Sequence, residues 1–389
     1  MLNRLAIGGP AMNTLALASE LSTQYEILLI AGQALPHEHT AEHLLKNYTG
    51  FKVQIIREFT RNVFLWKDYK AYRILKSIIQ EFNPQIVHTH GSKPGVLGRW
   101  AAYRLKVPVI IHTYHGHVFH SYFSPIISKL IVWLERRLAT YTDIIIAINK
   151  QLLNDLTTVY KITDPSSILL SPLGLDLAYY QQAAVHQTRN EVRAMLGLKN
   201  EDLAVVAIGR LVPVKQHSLF VRIAARFVKE HPSIPFKFLI VGDGPERDHL
   251  KLLAEKEGLK YSVGAEIKGE SNLVFLLWRT DIPAILSAME ILLHTSLNEG
   301  TPVSILEAMA MGKPVVATAV GGIPELLNAS GAGMVCDNEK ELMENLLQLA
   351  GNSELSQSLG KKGKQFVENH MSISKQAAML VERINAISI

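Results

Sequence analysis

Residues 294–318, HTSLNEGTPVSILEAMAMGKPVVAT, decide how this chain is read. Thr301 suits an N-cap and Pro302 the first helical position. Gly312 can take the left-handed closing conformation and Pro314 stops continuation, so the spacing predicts one short helix over 302–311. An apolar strand is expected from Val315. Ahead of the helix, Glu299-Gly300-Thr301 must turn tightly, which leaves backbone N–H groups and the positive end of the helix dipole facing the turn. Gly300, Thr301, Pro302 and Val303 therefore form a candidate anion site. Two carboxylates accompany it, Glu299 in the turn and Glu307 inside the helix. A carboxylate accepts paired hydrogen bonds from vicinal hydroxyls such as those of a ribose, while helix N–H groups hold phosphates. That combination points to a phosphorylated sugar ligand. A capped helix whose Glu307 pairs with a neighbouring cation fits the same letters equally well.

Over a longer span, 298–327, the sequence NEGTPVSILEAMAMGKPVVATAVGGIPELL resembles the signature of the retaining glycosyltransferases of family 4, which have the GT-B fold. The resemblance implies an α/β chain of two Rossmann-like, doubly wound parallel-sheet domains facing a central cleft. It implies that Glu307 binds the donor ribose and that Glu299 lies near the donor sugar.

Length and composition agree with a two-domain globular protein. The chain has 389 residues, 48% hydrophobic and 19% charged, more than one core of ~50–200 residues usually serves. The single cysteine, Cys336, excludes an intramolecular disulfide or a cysteine-based metal cluster and fits a reducing compartment. No apolar run approaches the ~20 residues that span a bilayer, and no signal peptide is visible, so a cytoplasmic location is expected. Residues 1–172 carry a net +7 and residues 173–389 a net −2, within the overall +5. A basic first half suits a phosphate-bearing acceptor or peripheral contact with an anionic membrane at the inner face of the cell membrane. A merely solvated basic surface fits as well. No nucleic-acid motif or long Lys/Arg run is present, so nucleic acid is not expected as a partner.

In chain order, Gly8-Gly9-Pro10 followed by Ala11–Leu21 reads as a glycine turn and a helix with proline near its start. Gly9 would let the backbone approach a diphosphate. Relatives of the resembled family carry a hydrophobic strand before this turn, whereas here only residues 1–5 precede it. Most of that first, central strand is expected to be lacking, and restoring upstream sequence is expected to stabilise the domain. Strands are then expected at 26–31, 52–56, 85–88, 107–113 and 143–148, with a helix over 67–82, the alternation of a doubly wound sheet. Residues 171–176, SPLGLD, resemble the family's entry into the second domain. That places the first domain at 1–172, with a crossover helix in 372–389, and the second at 173–371.

Histidines cluster in the first domain, at His88, His90, His112, His115, His117 and His120. Zinc is disfavoured, because neither a His-Glu-x-x-His helix spacing nor a cysteine accompanies them. Residues at the carboxyl ends of adjacent parallel strands face the ligand crevice of an open α/β sheet. The resemblance carries a donor-sugar contact to His115, with His117 as the alternative. Gly91–Gly95, GSKPG, opens a helix whose lysine and free N–H groups would suit an anionic acceptor, or is an ordinary helix start. The helix at 125–138 mixes Ile, Leu and Trp with Lys129, Arg136 and Arg137. Core packing of its apolar face is the first reading, membrane contact the second.

In the second domain, Gly209-Arg210 through Lys215-Gln216 resembles the family segment whose arginine and lysine grip the donor diphosphate, with Gln216 where glycine is common. Cations belong there because the leaving nucleoside diphosphate gains negative charge as the glycosidic bond breaks. Val241–Glu246 resembles the turn that shapes the nucleotide pocket. Around Leu276–Pro283 the match departs where Leu277 replaces a glycine. Tyr261–Ser271 reads as an extra loop or hairpin.

The resulting expectation is a retaining transferase acting from a nucleotide sugar, a UDP-sugar ahead of a GDP-sugar, on a glycan or lipid-linked acceptor in cell-surface polysaccharide synthesis. His115, Glu299, Arg210 and Lys215 are the expected catalytic set. Gly9, Arg210, Lys215, Gly300, Thr301, Pro302, Val303 and Glu307 are the expected donor-binding set. Neither metal nor cofactor is required. A nucleotide-sugar 2-epimerase of the same fold and a non-catalytic nucleotide-sugar-binding protein are the alternatives.

Overall fold

The computed structural model describes residues 1–34, 40–59, 65–116, 124–186 and 188–387. They fall into two units, Met1–Gly174 with Met371–Ile389, and Leu175–His370.

In the first unit the strands are β1 (Ile27–Gly32), β2 (Phe51–Ile56), β3 (Ile86–His90), β4 (Val109–Tyr114), β5 (Ile144–Ala147) and β6 (Ile168–Leu170). β1 pairs with β2, and β3-β4-β5-β6 form a four-stranded sheet; all pairings are parallel. Parallel strands are covered on both faces, which is why β5 is apolar throughout and β4 is wholly buried even at His112 and Thr113. The two half-sheets meet at Leu2, which makes parallel bridges to Ala31 and to His90. Its N–H donates to the Ile30 carbonyl at 2.8 Å, and the His90 N–H donates to the Met1 carbonyl at 3.0 Å. Where residues 1–5 were read as a stub, the structure has one bridging residue at the central position. A cavity of about 350 Å³ lined by Leu28, Ile30, Ile86 and Val87 lies along the facing edges of β1 and β3. The helix Ile373–Ile387 belongs to this unit. Gln376 Oε1 accepts from Asn13 Nδ2 at 2.7 Å and from the Gly174 N–H at 2.9 Å, so one buried amide ties helix Gly9–Leu21, the chain exit and the last helix together.

In the second unit the strands are β7 (Leu203–Ile208), β8 (Phe236–Val241), β9 (Tyr261–Val263), β10 (Leu273–Leu277), β11 (Ile291–His294), β12 (Val315–Thr318) and β13 (Gly333–Cys336). Their order is β13-β12-β11-β7-β8-β10-β9, all parallel. Residues 261–263 are thus a parallel edge strand and 264–271 a loop, so of the loop or hairpin expected over 261–271 the hairpin is absent. Phe220, Phe227, Phe236, Phe238 and Phe275 fill the core on one face of this sheet. The chain builds outward from β7 on one side and then returns beside β7 with β11. That reversal is the topological switch point, where open α/β sheets bind ligands beyond the carboxyl ends of the strands.

One sequence expectation holds only in part in the first unit. In helix Pro125–Ala139 the buried residues are Glu135, Leu138 and Ala139, while Ile126, Leu130 and Trp133 are exposed. The helix is anchored by a polar contact: Glu135 Oε2 accepts from buried Arg99 Nη2 and from Tyr114 Oη, each at 2.5 Å. Core packing therefore accounts for Leu138 and Ala139 but not for Ile126, Leu130 and Trp133.

Candidate active site

β7 and β11 deliver two loops to the switch point. After β7, Gly209 donates its N–H to the Val241 carbonyl at 2.9 Å, and Leu211 donates to the Asp243 carbonyl at 3.0 Å. These loops lie too close for side chains: a Cβ on Gly242 (φ +137°) would fall 2.0 Å from the Gly209 carbonyl oxygen. The glycines in the 209 and 242–244 segments are there for that close approach. Arg210 is exposed, and its side chain has no hydrogen bond or ion pair among the described residues.

The loop after β11 carries Glu299, the centre of a polar cluster. Its Oε1 accepts from Lys215 Nζ at 2.5 Å, from Ser296 Oγ at 2.6 Å and from His294 Nε2 at 2.9 Å. Burial alone would raise this carboxyl. The His294 hydrogen bond and the Lys215 charge outweigh it and hold Glu299 down at about 2. The structure thus brings Glu299 and Lys215 together and leaves Glu299 Oε2 without a partner among the described residues. Gly321 (φ +57°) lies under the same loop, where a Cβ would come 1.7 Å from the Glu299 carbonyl oxygen, and the Gly322 N–H donates to the Gly300 carbonyl at 3.0 Å. The turn is therefore clamped from below by main chain.

The helix beyond the turn runs Val303–Ala310, one residue shorter at each end than expected. Pro302, with ψ 117°, stands outside it as N-cap, so Thr301 does not cap. Proline has no side-chain acceptor, and no side chain caps this start; the Val303 and Ser304 N–H groups are left facing the turn. The C-terminus closes as the sequence implied. Gly312 is left-handed (φ +66°), with its N–H on the Met309 carbonyl and that of Lys313 on the Ala308 carbonyl. Glu307 is buried (4% exposed), and Tyr180 Oη donates to its Oε1 at 2.8 Å. Burial raises Glu307 to about 7, only partly offset by the tyrosine. It has no cationic partner in the structure's ion pairs among the described residues, so the reading of Glu307 as half of an ion pair does not hold.

The two departures from family glycines fall where glycine would be at ease. Gln216 has φ +49° and Leu277 φ +58°, both left-handed. That conformation costs an L-residue roughly 1–2 kcal/mol. Gln216→Gly is expected to stabilise the protein by about 0.5–1 kcal/mol, the strain relief less the added entropy of an unfolded glycine. Chemical denaturation checks this; an unchanged or lower midpoint would show that the side chain contributes more than the strain removes.

In the first unit, His115 follows β4. Its Nε2 lies 3.0 Å from His90 Nδ1, with the rings stacked at 5.2 Å. Burial lowers His115 to about 4, so it is neutral near pH 7, and its Nδ1 has no partner among the described residues. His117, the alternative, and His120 lie outside the described residues. Among the described residues no group of three or more His, Cys, Asp or Glu could hold a metal. Gly9 opens the helix Gly9–Leu21, whose start again has no side-chain cap. Lys93, a candidate for an anionic acceptor, is instead paired with Asp68 at 2.5 Å, both side chains largely buried. Three contributors went unassigned in the sequence: Tyr180, His294 and Gly321. The GGIPELL run hinted at Gly321; nothing local pointed to Tyr180.

Two family patterns match this chain, "Glycosyltransferase Family 4" over residues 7–179 and "Glycosyl transferases group 1" over residues 188–366. The chain is 30% identical over 355 residues to an Escherichia coli protein named UDP-Gal:alpha-D-GlcNAc-diphosphoundecaprenol alpha-1,3-galactosyltransferase, covering 91% of this chain and 87% of that one. It is 25% identical to alpha-monoglucosyldiacylglycerol synthase of Streptococcus pneumoniae, covering 88% of this chain and 75% of that protein. In fold it is similar to Anabaena HepE, solved in complex with UDP and glucose, with TM-score 0.77 at 19% identity over 99% of this chain and 98% of that one. With the two patterns spanning both units and a relative at that identity aligned along most of both chains, this glycosyltransferase belongs to glycosyltransferase family 4, of the GT-B fold.

Proposed function

We propose that the protein moves a hexose from a UDP-sugar to a lipid-linked, diphosphate-bearing saccharide with retention of anomeric configuration. The observation that carries this reading is Lys215 held on Glu299 in the turn before an uncapped helix start at the switch point, with Glu307 inside that helix and Arg210 in the loop after β7. A leaving diphosphate gains charge as the glycosidic bond breaks. Arg210 and Lys215 supply the compensating charge, and the Val303 and Ser304 N–H groups supply oriented dipoles. Glu307 accepts from the ribose hydroxyls. Glu299, fixed through Oε1, offers Oε2 to a hydroxyl of the transferred sugar. Retention follows if the acceptor hydroxyl attacks from the face the diphosphate leaves, the departing phosphate taking its proton. Glu299 and Glu307 are then binding groups, not the acid and nucleophile of a glycosidase. The UDP-sugar and lipid-linked acceptor are supported by the named E. coli relative.

The test is incubation with radiolabelled UDP-sugars, with and without undecaprenyl-diphosphate-linked N-acetylglucosamine. Label should enter the organic phase only when acceptor is present, and the product should keep the donor's anomeric configuration. An epimerised sugar in the aqueous phase regardless of acceptor would establish the 2-epimerase instead, and an inverted product would overturn retention.

A further inference from the structure

We propose that Tyr180 is a positioning residue for the donor nucleotide: its hydroxyl pins Oε1 of Glu307 and leaves Oε2 as the acceptor for the ribose. This role rests on Glu307 being the ribose-binding carboxylate. Tyr180 stands on helix Leu177–His186, whose start is held by Asp176 Oδ1 accepting from the Tyr179 N–H at 3.3 Å. Neighbouring positions on a helix point about 100° apart, so the two tyrosines part company. Tyr179 donates to the Thr280 carbonyl at 2.9 Å, in the loop after β10. Tyr180, only 3% exposed, turns inward and donates to Glu307 at 2.8 Å. The rings meet edge-on, at 83° with centroids 5.3 Å apart, which leaves the Tyr180 phenol little freedom to swing away.

Oε1 of Glu307 is taken by that phenol. Oε2 accepts no hydrogen bond among the described residues, and it is not one of the atoms sealed from solvent without a partner. Oε2 is thus the oxygen a ligand can reach. Tyr180 also decides what that carboxyl offers, because a neutral acid carries an O–H donor whereas a diol asks for acceptors. Burial pushes Glu307 up to about 7, and the phenol hydrogen bond is what pulls the other way. No neighbouring charge shares the task. Helix Ile282–Ala288 and β12 carry no titratable side chain, and helix Ser353–His370 passes at Gly360 and Gly363. From β11, His294 meets Ser304 of the same helix, and Tyr179 faces Glu307 as an uncharged phenol.

Calorimetry of UDP binding between about pH 6 and 9, either side of the Glu307 value, tests this on wild-type protein, Tyr180→Phe and Glu307→Gln. Tyr180→Phe removes one oxygen atom and keeps the ring, so the chain should stay folded, which its melting temperature checks. The rise in affinity that wild type shows near pH 7 should move up by about one pH unit or more, the worth of a charged hydrogen bond. The variant should then bind UDP at least about fivefold more weakly at pH 7, with the gap closing to within about twofold at pH 9. In the Glu307→Gln background the same substitution should no longer move the pH dependence. Replacing UDP by its 2′-deoxy analogue at pH 7 should cost wild type more affinity than it costs Tyr180→Phe. The proposal is overturned if Tyr180→Phe follows the wild-type curve while Glu307→Gln weakens UDP binding. A loss equal at every pH also overturns it, since Tyr180 would then serve packing alone. Should Glu307→Gln bind UDP as wild type does, the ribose reading itself falls and this role falls with it.

Discussion

Lys215→Ala is expected to lower turnover by about 10²–10³-fold while changing the KM for the donor by less than about tenfold, because the charge it meets peaks beyond the ground state. Arg210→Ala should act in the same direction, and the Arg210 side chain is exposed and takes no part in the core. Lys215 has a second role that complicates the reading: its Nζ holds the Glu299 carboxylate. Removing it leaves a largely buried anion with only His294 and Ser296 as donors. A double-mutant cycle with Glu299→Gln separates the two contributions. If Lys215 acts only by fixing Glu299, the double variant should be no worse than Glu299→Gln alone. Additive losses place Lys215 on the diphosphate. Wild-type turnover in both folded Lys215→Ala and Arg210→Ala would remove the diphosphate role altogether.

Glu307→Gln is expected to weaken UDP binding by on the order of 1.5–3 kcal/mol, the worth of charged hydrogen bonds to a ribose diol. Glutamine can still accept from Tyr180, so the packing around the site is kept and the charge alone is tested. The pH dependence gives an independent reading. Burial raises Glu307 from 4.5 to about 7 in the unliganded protein. With a raised folded value, the neutral carboxyl contributes stability in full below about pH 4.5, and that contribution is lost as pH rises toward 7. Two donating hydroxyls favour the carboxylate, so UDP binding should expel a proton and tighten as pH rises through about 7. Calorimetry in buffers of different ionisation enthalpy measures that proton, and Glu307→Gln should abolish it. Proton release unchanged in the variant, or undiminished affinity, would detach Glu307 from the ribose.

The sequence by itself determined the units of this protein whose physics is local. Parallel strands announce themselves as apolar runs because both faces are covered, as in Ile144–Ala147. Glycine and proline mark turns because their backbone limits act within a residue or two. Gly312 closes the helix as its letters imply, and Gly209, Gly242 and Gly244 mark loops in contact. Even here the boundary slipped: Pro302 and Thr301 suit an N-cap pair on paper, but ψ at Pro302 moved the helix start to Val303.

Only the tertiary structure decided which partner each polar side chain has. Lys215 meets Glu299 across 84 positions and Tyr180 meets Glu307 across 127, distances over which no spacing rule operates. Those contacts, with the burial they create, set one glutamate near 2 and the other near 7, although the two stand eight positions apart in one motif. The tertiary structure also decided the fate of the ridge at Ile126, Leu130 and Trp133. A helical repeat shows which side chains share a face; whether another element covers that face depends on how the rest of the chain packs. Here the buried side took Glu135, Leu138 and Ala139, and Ile126, Leu130 and Trp133 were left to solvent.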